Sequence, residues 1–236
     1  MILPGEWLGF ELKEHIRGEN VNIINLLKSW YGYSNSQLKS NEVCVVWIHG
    51  ANQTGLSFQY LRSLTNFPNE IILEYDSSNK FYDNLEILAK DLKNKSQAYF
   101  IVGHSLGGLY AIHLIKHIDL VGAVTIITPY AGSWTADWAK FFVPSYQLFR
   151  DVGRRSSPIN DAKRIQLNVP WTQIVSTSGG VPYHGGQNDG VCTIKSMKSR
   201  MDMELVEVPH THFEVMCSDV VAKIILNSYY SVIEKS

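Results

Sequence analysis

The chain has 236 residues and only three cysteines, Cys44, Cys192 and Cys217, which are far apart, odd in number and without a CxxC spacing. That excludes a disulfide framework and a cysteine-built zinc cluster, and it suits a reducing compartment. Charge is sparse and balanced, 21 Lys and Arg against 22 Asp and Glu for a formal net charge of -1, with no clustered basic run. No nucleic-acid partner is therefore expected. No stretch reaches the roughly 18 apolar residues that would span a bilayer. The opening "MILPGEWLGFELKEHIRG" also lacks the basic start and apolar stretch of a secretory leader. The expectation is a soluble, unexported, cytoplasmic protein with no transmembrane segment; nothing in the pattern speaks for membrane-surface contact or sets the oligomeric state.

Hydrophobic residues make up 45% of the chain, enough for a sizeable core, and the expectation is one domain over residues 1–236. From residue 43 onward, short β-branched runs alternate with longer stretches of helical period. The runs "VCVVWI" (43–48), "EIILEY" (70–75), the apolar "AYFIV" that opens 98–115, "LVGAVTIITP" (120–129), "WTQIVSTSG" (171–179) and "RMDMELVEV" (200–208) read as strands. "LSFQYLRSL", "YDNLEILAKDLKNK" and "SDVVAKIILNSYYSVI" read as helices, the last with Ser218 as N-cap. This βα alternation predicts an α/β fold, a mostly parallel sheet flanked by helices. The segment at about 133–165 interrupts the alternation and reads as a short helical cap insertion. Residues 1–42 are open: "VNIINLLKSWYG" fits an amphipathic helix or a strand pair.

The chemistry concentrates at "VGHSLGGLY", where an apolar strand runs straight into a helix through the pentapeptide "GHSLG". GxSxG alone is a weak signal. In this context the tight turn forces Ser105 into an exposed, strained conformation, and the helix beyond it points free N–H groups toward developing negative charge. A lone serine hydroxyl is a poor nucleophile, so the reading requires a later histidine base and a carboxylate to orient it. "GGQNDGVCTIKSM" offers Asp189 in a glycine-rich loop after a strand, and "VPHTHFEVMCSDVV" offers His210 and His212 after the last strand.

With strand, turn, helix, acid and base in this order, the chain from about residue 43 to 230 resembles the α/β-hydrolases, in particular their small lipase and esterase branch. The resemblance implies an oxyanion hole formed by the backbone N–H groups of Ala51, in the "IHGAN" loop, and Leu106, after the nucleophile. It favours His212 over His210, because the family's base is followed by an apolar residue and then a helix, as in "HFEVMCSDVVAKI". "DGVCT" is similar to the family's acid loop DGVVP, with Cys192 and Thr193 replacing its last two residues. "ITPYAGS" is similar to TPHxGS, with Tyr130 where histidine is common. The implied activity is carboxylic-ester hydrolysis through a Ser105–His212–Asp189 triad and an acyl-enzyme, on a small-molecule or lipid ester, with no cofactor and no metal. A thioesterase or acyltransferase on the same triad is the alternative, and a non-catalytic binding protein of the same fold is a further one.

Other candidates have plainer readings. Trp134, Trp138, Phe141 and Phe142 fall on one helical face of the insertion; with Tyr130 they could line an acyl pocket or simply pack. His49 and His104 adjoin motif glycines and read as supports of the site. His113 and His117 are four apart on an expected helix but lack a third metal ligand, so they read as packing or surface residues. Cys192 and Cys217 read as small buried hydrophobes. His184 has only a loop contact to suggest.

Overall fold

Strand β1 (Val43–Ile48) shows how the fold is organised, because all six of its residues are buried and alternate ones enter different cores. Val43, Val45 and Trp47 join one hydrophobic cluster and Cys44, Val46 and Ile48 the other, the period-two pattern of a strand covered on both faces. The computed structural model describes residues 43–93, 95, 96, 98–143, 147–180 and 187–235. The readings made for residues 1–42 and for His184 lie outside the described residues.

Strands β2 (Glu70–Leu73), β3 (Ala98–His104), β4 (Leu120–Ile126), β5 (Trp171–Ser176) and β6 (Glu204–Val208) complete a six-stranded sheet. Its order is β2-β1-β3-β4-β5-β6, and every neighbouring pair is parallel. Helices α1 (Gln59–Thr65) and, at the C-terminal end, α8 (Asp219–Lys235) cover one face. Their Leu61, Val221, Ile225 and Tyr229 pack on Val45, Trp47 and Phe100. Helices α2 (Phe81–Leu92), α3 (Leu106–Leu114) and α6 (Ser157–Arg164) cover the other. In α2 the buried Phe81, Leu85, Leu88 and Leu92 form a single stripe, whereas all nine residues of α3 are buried, as a central helix requires.

The insertion holds three short helices, α4 (Trp134–Phe142), α5 (Gln147–Asp151) and α6. A further single turn, α7 (Ile194–Met197), precedes β6. β6 begins at Glu204 rather than at residue 200, because the buried Arg200 is drawn off the sheet: its guanidinium donates to the carbonyls of Ala162 and, at 2.7 Å, Ile165. Ser218 caps α8, accepting from Val221 N–H at 3.4 Å. Among the described residues no helix is long and apolar enough to cross a membrane.

Strand order then dictates where a site can form. From β1 the chain leaves over one face through α1, and from the adjacent β3 it leaves over the other through α3. Adjacent strands whose exits diverge open a crevice at their C-terminal ends, where open α/β sheets bind ligands.

Candidate active site

The elbow after β3 carries the first group. Ser105 joins β3 to α3 with φ 51° and ψ −114°, a left-handed conformation that a residue with a Cβ holds only when its surroundings enforce it. The enforcement is visible. Ser105 N–H donates to Ile126 O at 2.8 Å, and Gly108 N–H donates back to Ser105 O at 3.1 Å. Ile127, one residue beyond that acceptor, is itself at φ 52°, so two strained positions adjoin at this edge. The two motif glycines are required by space. A Cβ on Gly103 would lie 2.8 Å from Gly107 O, and one on Gly107 would lie 2.6 Å from His49 O and closer still to Ile48 O. Helix α3 thus starts directly against the end of β1, which is why its N-terminus sits beside the "HGAN" loop.

That loop carries Ala51, and α3 begins with Leu106. Among the described residues no protein acceptor takes the N–H of either. The first N–H groups of a helix have no intrahelical partner, and they carry the positive end of its dipole.

The second half of the site comes from the loops after β5 and β6, whose ends pair at Ser176 and Val208. Asp189 is buried, and both its oxygens are used. Oδ1 accepts from Val191 N–H at 2.9 Å and Cys192 N–H at 2.6 Å, while Oδ2 lies 2.6 Å from Nδ1 of the buried His212. His212 N–H also donates to Asp189 O at 3.0 Å, so backbone and side chain dock the same two residues together. A carboxylate oxygen accepts, so it is the Nδ1 proton of His212 that this contact uses, leaving Nε2 as the nitrogen not engaged by Asp189. His210, two residues earlier, makes a different contact: its Nε2 is 2.8 Å from the cap hydroxyl of Ser218. Between the two histidines, then, it is His212 that meets the Asp189 carboxylate. Among the described residues no hydrogen bond joins Ser105 to His212, a contact that often tightens only around substrate. The His212 ring does lie 5.3 Å, centroid to centroid, from His104, the residue before Ser105.

Asp189, Cys192 and His212 bring a carboxylate, a thiol and an imidazole within 4.8 Å of one another. The set does not fit a metal centre: the carboxylate is already committed to two N–H groups and an imidazole. Burial, with the Asp189 charge second, pushes the Cys192 thiol well up, so it stays protonated.

The remaining sequence candidates fall in several places. Tyr130 is fully buried and donates to Thr125 Oγ1 at 2.9 Å, within a polar core network that also takes in Gln173 and Trp171. Trp134, Trp138 and Phe142 stand exposed on α4, at 42%, 56% and 81%. The polar side of α4 is the side held down, by the ion pair of Asp137 with Arg154 at 2.6 Å. His49 is buried and stacked on Tyr75 with ring centroids 4.3 Å apart. His113 is buried with Nε2 3.0 Å from Pro158 O, but α3 ends at Leu114, so His117 lies past the helix expected to carry both. Cys217 is exposed rather than buried, because the turn Glu214–Cys217 presents it outward. Gln53, whose side chain reaches both Gly50 and His104, had no motif to mark it.

No family model matches the chain, and no curated protein matches it in sequence. Solved structures do share its architecture. A lipase-esterase related protein from Clostridium acetobutylicum aligns over 85% of this chain and 97% of its own at 13% identity, with a TM-score of 0.59. Phospholipase PlaB from Legionella pneumophila aligns over 82% of this chain at 13% identity and a TM-score of 0.61; that match spans 61% of its own length. A carboxylesterase structure from Nitrososphaera gargenis aligns over 85% of this chain and 94% of its own at 16% identity and a TM-score of 0.55. At such identities the likeness is one of architecture: the chain has the α/β-hydrolase fold.

Proposed function

We propose that this protein is a serine hydrolase of carboxylic esters, acting through Ser105, His212 and Asp189 by way of an acyl-enzyme. The observation that carries the reading is the strained Ser105 at a strand-to-helix elbow, at the same end of the sheet as a histidine bound to a buried carboxylate. His212 Nε2 takes the Ser105 proton as Oγ bonds the carbonyl carbon, and the carbonyl electron pair moves onto oxygen between the Ala51 and Leu106 N–H groups. Collapse of that intermediate expels the alcohol, which leaves with the proton held by His212. Water then gives His212 a proton and attacks the acyl carbon, and Ser105 departs with that proton as the acid is released. The exposed aromatics of α4 support a substrate with an apolar acyl group. The names of the structural neighbours, which include a lipase-esterase related protein, a phospholipase and a carboxylesterase, agree with this reading.

A fluorophosphonate probe tests it. Wild type should label at Ser105 and Ser105→Ala should not; an unlabelled wild type would sink the reading. In p-nitrophenyl ester turnover, His212→Ala should lose on the order of 10⁵- to 10⁶-fold in kcat. His210→Ala should keep turnover and lose about 1 kcal/mol of stability, since it gives up one hydrogen bond to the α8 cap. The reverse pattern would move the base to His210. Faster cleavage of a thioester than of its oxygen ester, or an alcohol outcompeting water, would reassign the leaving or accepting group while keeping the triad.

A further inference from the structure

The last register pair joining β1 to β3 is Ile48 with Gly103. Beyond it the two chains part toward opposite faces, yet both oxyanion N–H groups lie beyond it, on Ala51 and Leu106. Backbone packing of Gly107 against the Ile48 and His49 carbonyls sets the start of α3 against the end of β1. One side chain adds a tie between the two loops themselves. Gln53 Oε1 accepts from Gly50 N–H at 3.2 Å and lies 2.9 Å from His104 Nδ1. Gly50 immediately precedes Ala51, and His104 immediately precedes Ser105.

An amide oxygen only accepts, so this contact puts the His104 proton on Nδ1. Its Nε2 is buried and makes no well-formed hydrogen bond among the described residues, with the His212 backbone the polar group close to the ring. His104 is 1% exposed; burial first, and the neighbouring His212 second, drive its pKa down to about 3. The imidazole therefore stays neutral beside a base that must itself become positive during turnover. The local sequence is shaped around the bridge: a Cβ on Gly50 would sit 2.7 Å from His104 Nδ1 and 2.9 Å from Gln53 Oε1. The far side of the loop is tied separately, by Asn52 N–H donating to Ser77 Oγ at 3.0 Å.

We propose that Gln53 is a positioning residue whose single side-chain oxygen ties the Ala51 loop to the nucleophile elbow and thereby sets the spacing of the two oxyanion N–H groups. The proposal rests on the ester-hydrolase reading above. Gln53 is half-buried, so its replacement is compatible with folding. Gln53→Met removes the acceptor at similar length. Its kcat on a p-nitrophenyl ester should fall about 10- to 100-fold, short of the loss of a donor itself, with KM within about twofold. Phenylboronic acid, which places a tetrahedral oxygen in the hole, should bind more weakly by a similar factor. Gln53→Glu, whose carboxylate can accept from both partners, should bring kcat back to within about threefold of wild type. The proposal fails if Gln53→Met turns over like wild type, if both variants lose equally, or if kcat falls only in step with Tm. Those failures are separable from failure of the underlying reading, in which wild-type Ser105 would not label at all.

Discussion

The elbow around Ser105 and helix α4 rise from the same end of the sheet and are built on opposite terms. At the elbow a single added carbon on Gly103 or Gly107 collides with backbone, and all of α3 behind it is buried. On α4, Phe141 and Phe142 are 73% and 81% exposed, and the polar side is the one pinned down. Packed backbone allows one arrangement within a few tenths of an ångström, and reacting atoms need that. An apolar face left in solvent costs little to alter, so on the proposed function it is the part free to follow the shape of an acyl group.

Gly107→Ala attacks this contrast at its tight end. The new methyl meets the Ile48 and His49 carbonyls, and α3 has no room to retreat. The expected loss is about 3 kcal/mol or more, a fall in Tm of roughly 6 to 12 °C by calorimetry, together with loss of Ser105 labelling. A variant that melts like wild type would show that the elbow yields, and the contrast would collapse.

The next effect depends on pH and comes from His104, whose pKa burial lowers to about 3 from an ordinary 6.5. Above pH 6.5 the ring is neutral in both folded and unfolded chains and contributes no slope. Between 6.5 and 3 the unfolded chain binds a proton that the folded one refuses, so stability falls as the pH drops. By pH 4.5 the loss from this one group is about 2 to 3 kcal/mol. Urea unfolding of His104→Gln should therefore show a pH 7 to 4.5 drop smaller than wild type by about that amount; an equal drop would mean that the buried ring takes up its proton while folded.

The smallest effect belongs to the loose end. Phe142→Ser should change stability by less than about 0.5 kcal/mol. It should still raise KM for C12 to C16 esters while leaving that for C2 alone. Equal KM values across the panel would confine α4 to a structural role.

Much of the fold was legible in the chain. The strand at residues 43–48 was readable to both ends, and the one starting at Ala98 to its start; that strand runs on through Gly103 and His104, which the pattern assigned to the turn. The last strand was drawn four residues too long, because pattern alone does not show that Arg200 is claimed by carbonyls of the insertion. Cys217 was misjudged for a similar reason: whether a turn points a thiol inward depends on what packs behind it. Of the candidate site, the GxSxG turn announces itself because its glycines are steric requirements, whereas Gln53 leaves no trace in sequence. Its contact with the His104 ring joins residues 51 apart along the chain, which no local pattern can signal.

The sequence by itself determined the alternation of strands and helices, the glycine-flanked Ser105 and the order in which serine, acid and histidines follow. These are local matters, decided by periodicity and by the space a turn leaves for a Cβ. Only the tertiary structure decided that His212 meets Asp189 while His210 turns to Ser218, and that the ends of β1 and β3 lie side by side. It also decided that the aromatic face of α4 looks outward rather than into the core. Those outcomes depend on strand order and on which partner is left unburied, which are properties of the packed sheet that no short stretch of chain contains.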